Sequence, residues 1–195
     1  MSNTTNKKNI EVIQHVCSAL LRNDIDAGRR SILEGYPFVP RERHARNYTN
    51  FRKLKIFMRD GFIDRYSGEK LIFPGTLKVF SAIYPNEFPY HKNGKMTVGH
   101  MAYWQLFPTI DHVEPFASGG RNDDDNFVTT SMMNNSVKAN YTLEELNWKL
   151  FPEGDINDWD GMTRWFRNYV GDHRNLLSDK YIENWYRTLL RFDNL

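Results

Sequence analysis

Thiols are almost missing from this 195-residue chain, which has a single cysteine, Cys17. One thiol excludes an intrachain disulfide and any cysteine-based zinc cage, and it fits a reducing compartment. Cys17 itself reads as a small buried core residue. Long hydrophobic runs are missing as well. The polar opening from Met1 to Lys8 is not followed by an apolar segment, so neither a secretory leader nor a membrane span is signalled, and the reading is of a soluble cytoplasmic protein. An excess of one charge is also lacking: 26 Lys and Arg against 24 Asp and Glu leave a net charge of +2. That total is too small to argue for a polyanionic partner, so the placement of the cations has to decide. Internal repeats, low-complexity tracts and long linkers are absent, which favours one composite domain.

What the chain does have is apolar and aromatic surface. With 40% hydrophobic residues, including 13 Phe, 10 Tyr and 5 Trp, it can bury a sizeable core built from large rings. Ile10, Ile13, Cys17, Leu20 and Leu21 recur at helical spacing up to Asn23-Asp24, and a shorter helix is predicted over 25–33. Gly35, Pro37 and Pro40 then break the pattern. Residues 41–59 form the basic segment, in which Arg41, Arg43, Arg46, Arg52, Lys53, Lys55 and Arg59 are opposed only by Glu42. Phe51, Leu54 and Met58 form an apolar stripe there, so a helix presents Arg52, Lys55 and Arg59 together, suited to phosphate contact or to an ordinary solvated face. A short hairpin-like element is expected over 61–74, then a connector up to Thr97. Helices are predicted again over 158–170 and 178–191, where the aromatic stripes read as core.

The chemistry-bearing stretch spans about 103–141. Residues 103–113 read as a strand ending in Asp111-His112, Ser118-Gly119-Gly120 as a turn, 127–130 as a returning strand, and 131–141 as a helix. On that helix Met133, Val137 and Tyr141 share one side, while Ser131, Asn135 and Lys138 share the other and face the hairpin. Asp111 and Asn135 offer hard oxygens that suit Mg²⁺ or Mn²⁺. His112, with an ordinary pKa of about 6.5, can deprotonate a water in line with a phosphorus while the cation stabilises the departing 3′ oxygen. Lys138 is placed to neutralise a neighbouring phosphate. Asn134 adjoins Asn135, and a one-residue shift, about 100° around the helix, exchanges them. His91 and His100 read as structural hydrogen-bonding residues, Asp123-Asp124-Asp125 as a solvated turn, and Glu114 as a neighbour of the base.

The pattern Asp111-His112-x-x-Pro115, Gly119-Gly120, Asn126, Asn135-x-x-Lys138 resembles the HNH endonuclease family. The resemblance implies an α+β fold with a ββα-metal core embedded in a largely helical single domain. Its parts are an N-terminal helical region with the basic segment (1–60), a nuclease core (61–150) and a C-terminal helical extension (151–195). It implies that Asp111 and Asn135 ligate the divalent metal, that His112 is the general base, and that Asn126 belongs to the site by bracing the hairpin loop. Many such proteins carry two Cys-x-x-Cys pairs around a structural zinc. Here Asp64 and Ser67 stand in the first pair's places, and Ser131 and Asn134 in the second's, so the resemblance implies a variant without structural zinc.

Double-stranded DNA is the expected substrate, with Arg52, Lys53, Lys55, Arg59 and Lys138 as nucleic-acid contacts. A restriction or defence role fits such an enzyme, as does a homing or phage-encoded one. A homodimer would place one site on each strand. The alternatives are a catalytically silent nucleic-acid-binding module with an HNH-like fold and a helical structural protein with an accidental motif.

Overall fold

The computed structural model describes residues 3–38 and 48–192, so Arg41, Arg43 and Arg46 of the basic segment lie outside the described residues. The chain divides into two compact units, Met1–Arg46 and Asn47–Leu195.

The first unit is a hairpin of two helices, α1 (Asn3–Leu21) and α2 (Ile25–Gly35). The Asp24 side chain caps α2 by accepting from the Ala27 amide at 2.9 Å. Small residues hold the pair together. Val16 and Ala19 lie against Gly28, and Val12 against Gly35 so closely that a side chain there would collide with it. Cys17, expected to be a core residue, is exposed, because this seam lies on another side of α1.

The second unit is α+β and mostly helical, and its described residues hold one sheet of two antiparallel strands. It runs α3 (Asn50–Arg59), α4 (Pro74–Ile83), α5 (Ala102–Gln105), β1 (Pro108–His112), β2 (Phe127–Ser131), α6 (Met132–Lys138), α7 (Leu143–Leu146), α8 (Thr163–Asp172) and α9 (Lys180–Phe192). The α3 helix therefore belongs with this unit, where Leu54 and Phe57 enter the main core beside Phe62, Phe73, Phe166, Val170, Ile182 and Trp185. Five elements differ from the sequence reading, one of them the helix expected over 131–141, which ends at Lys138 so that Tyr141 lies beyond it. The hairpin expected over 61–74 is a single bridge between Ile63 and Lys70. The connector contains α4, whose Pro74 sits at the start of the helix, where a missing amide hydrogen costs nothing. The strand expected from Tyr103 begins only at Pro108, because α5 occupies the residues before it. The helix expected from Asp158 begins at Thr163, where the Asp160 carboxylate accepts from the Met162 and Arg164 amides.

The β1–β2 register pairs Pro108 with Ser131 and His112 with Phe127. The outer edge of β2 is closed by two buried carboxylates: Asp60 accepts from the Thr129 amide at 2.6 Å, and Asp64 from the Ser131 amide at 2.9 Å. These bonds take the donors with which a third strand would pair. No helix among the described residues is long and apolar enough to cross a membrane.

Candidate functional site

The site is assembled at the loop end of the β1–β2 hairpin. Asp111 and His112 are the last two residues of β1, and they are 6% and 5% exposed. Successive strand residues point to opposite faces. The Asp111 carboxylate accordingly turns to α6, while the His112 ring turns to the loop between the strands.

On the α6 side, Asp111 Oδ2 accepts from the Tyr66 hydroxyl at 2.8 Å and lies 3.0 Å from Lys138 Nζ. Lys138 is fully buried and also donates to the His112 carbonyl at 2.7 Å. The phosphate contact expected of Lys138 is thus corrected: its ammonium is spent inside the protein on Asp111 and the strand end. Burial and the neighbouring Asp111 carboxylate push the Tyr66 phenol far above its ordinary pKa, so it stays a hydrogen donor at any working pH.

Asn135 Nδ2 reaches toward Thr109 Oγ1 at 3.5 Å and the Ile110 carbonyl at 3.4 Å, next to Asp111. Asn134 is engaged elsewhere, its Nδ2 donating to Asp64 Oδ2 at 2.9 Å, and this separates the two adjacent amides. Asp111 Oδ1 and Asn135 Oδ1 accept no hydrogen bond from the described residues, and neither is among the enclosed unpartnered atoms. One carboxylate oxygen and one carboxamide oxygen are therefore left as hard donors, the kind that suits a divalent cation completing its shell with water and phosphate. The described residues contain no group of three or more His, Cys, Asp and Glu side chains able to hold a metal by themselves.

On the loop side, His112 Nε2 lies 3.1 Å from Asn122 Oδ1, which also accepts from the Tyr48 hydroxyl at 2.9 Å. An amide oxygen only accepts, so in this contact the ring is the donor through Nε2. The ring packs edge-on to Phe127, with centroids 4.8 Å apart. Asn126 fastens the loop: its Oδ1 accepts from the Glu114 amide, and its Nδ2 donates to the Glu114 and Arg121 carbonyls, all within 2.9 Å. Gly120 lies so near the Glu114 carbonyl that a β-carbon would stand 1.9 Å from it, and Gly119 has a φ of 93°. These two glycines are required by the turn. Glu114 contributes its backbone, and its side chain is exposed.

The cations of α3 reach the same loop from outside. Arg52 and Lys55 both pair with the Asp124 carboxylate, at 2.9 and 3.2 Å, while Arg59 donates to the Asp124 and Phe127 carbonyls at 2.7 and 2.6 Å. The acidic turn is therefore a clasp for α3. Lys53 is half-buried, and desolvation lowers its ammonium pKa. His91 and His100 have structural roles: each Nδ1 accepts from backbone amides, and His100 stacks on Phe88.

At positions that the sequence reading set in the places of zinc-binding thiols, the structure has direct hydrogen bonds. Asp64 accepts from the Tyr66 amide, the Thr130 hydroxyl, the Ser131 amide and the Asn134 side chain, each at 2.9 Å. The sequence reading noted Asp64 as a lost thiol and missed it as a hub; it missed Tyr66, Asn122 and Asp60 altogether. Only Asp64 had a signal, its place opposite Ser131 and Asn134. Compared with family models, curated proteins and solved structures, the chain matches none.

Proposed function

We propose that residues 47–195 form a metal-dependent endonuclease with a ββα-metal core that hydrolyses phosphodiester bonds of DNA. The observation that carries this reading is that Asp111 Oδ1 and Asn135 Oδ1 accept no hydrogen bond from the described residues, while His112 follows Asp111 at the same strand end. In-line hydrolysis needs the attacking water and the departing oxygen on opposite sides of phosphorus. A bound Mg²⁺ or Mn²⁺ supplies stabilisation of the departing 3′ oxygen. His112 serves as the general base that takes the proton from water, and Asn122 orients its ring. Tyr66 and Lys138 hold the Asp111 carboxylate through Oδ2 and leave Oδ1 for the cation. Of the α3 cations, Lys55 is the most exposed and the best placed to meet a phosphate.

A second reading, a silent nucleic-acid-binding module, has one observation in its favour: Lys138 already gives Asp111 its counter-charge within 3.0 Å. Incubation of the protein with supercoiled and linear double-stranded DNA, with Mg²⁺ or Mn²⁺, distinguishes the two. Nicks or breaks that His112→Ala abolishes, with DNA binding retained, support the enzyme. Binding without cleavage in either metal supports the silent module, and equal cleavage by both proteins rejects the assignment of His112.

A further inference from the structure

The N-terminal hairpin hides small side chains and displays large ones. Along α1, Val12, Val16 and Ala19 meet α2, whereas Ile10, Ile13, Cys17 and Leu20 form a separate stripe about 100° away around the helix. Along α2, Gly28 and Gly35 form the seam, and Ile25, Ile32 and Tyr36 form a stripe displaced by a similar angle. Tyr36 lines one hollow together with Ile10, Ile13 and Cys17, so the two stripes make a single face. Its six large apolar side chains are between 41% and 59% exposed. A monomer seldom leaves an apolar patch beyond about 300–600 Å² uncovered.

Each helix of a four-helix bundle touches two neighbours about a quarter-turn apart. Within the described residues of this unit, each helix has one neighbour, through the small-residue seam. The missing layer is a pair of antiparallel helices with a matching apolar stripe. The α1 stripe is spaced three, four and three residues, which reads the same in both directions, so two copies related by a two-fold axis stay in register. Residues 3–38 carry five cations against four anions, so like hairpins do not repel. We propose that this face pairs with the same face of a second copy of the chain, the two hairpins forming a four-helix bundle.

Light scattering of the full chain in the micromolar range tests the pairing. The expected mass is twice 23.1 kDa. Ile13→Glu with Ile32→Glu is expected to halve it, while Ile13→Leu with Ile32→Leu keeps it. All five tryptophans lie beyond residue 100, so their fluorescence melting curve reports whether the 47–195 unit of the glutamate variant remains folded. A wild-type mass of 23.1 kDa throughout, or a doubled mass that survives both glutamates, overturns the proposal. The pairing stands apart from the cleavage reading: His112→Ala leaves the mass unchanged whether or not it alters DNA.

Discussion

Lys138 shows how the same residue type can serve two opposite purposes. On a helix face beside a nuclease-like motif it reads as a phosphate contact, but its ammonium is enclosed between Asp111, the His112 carbonyl and the Tyr66 ring. Removing one partner of a buried ion pair leaves the other charge uncompensated, which costs about 3–5 kcal/mol. Lys138→Met is therefore expected to lower Tm by on the order of 10 °C, and Lys138→Met with Asp111→Asn to recover part of that loss, both measured by calorimetry. A surface lysine would give almost no change. Tyr66→Phe removes a hydrogen bond to a carboxylate, worth about 1.5–3 kcal/mol, and is expected to lower stability by that amount and to weaken cleavage. The choice between Asn134 and Asn135 was only half legible. Both amides are polar helix residues, and what separates them is Asp64, some seventy positions away in the chain.

Two clasps fix the β-hairpin, and neither is written in a periodic pattern. Asp64→Ala leaves the Tyr66 and Ser131 amides and the Thr130 hydroxyl without their acceptor, at about 1–3 kcal/mol for each buried group. Denaturant melts should show a loss of several kcal/mol, with Asp64→Asn milder because one oxygen remains. The second clasp is the hydrogen bond from Arg52 to Asp124, which, with Lys55, holds the Asp124 carboxyl below the usual aspartate range. A carboxylate lowered on folding stabilises the fold fully above its unfolded pKa, about 3.9. That contribution is lost as pH falls through the lower folded value. The Tm difference between wild type and Asp124→Asn should accordingly be constant near neutrality and vanish in strong acid. Its size stays within about 1 kcal/mol because the pair is partly solvated. The helices α1, α2, α3 and α9 were legible because their apolar residues recur at helical spacing. The α4 helix was not, since Pro74 and Gly75 look like breakers although Pro74 starts the helix and Gly75 lies in contact with the Phe73 and Phe166 rings.

The molecule keeps its aromatic core, its hairpin and every tryptophan in one unit, and its lone cysteine in the other. The single composite domain read from the sequence rested on the lack of a long linker, and residues 47–195 by themselves form an α+β, mostly helical unit. Metal removal tests the larger unit directly. Chelation is expected to stop cleavage while shifting the tryptophan-reported Tm by no more than a degree or two, about the size of a surface effect. Stoichiometric zinc in exhaustively chelated protein would contradict this expectation. The Asp64 hub also bears on where such a fold can operate. Peroxide dismantles cysteine cages by converting thiolates to sulfenic acids, and cells starved of zinc leave those cages unfilled. A carboxylate bonded to two amides, a hydroxyl and a carboxamide offers oxidants no sulfur and needs no zinc, so the junction of β2 and α6 should hold its shape in peroxide or under chelation.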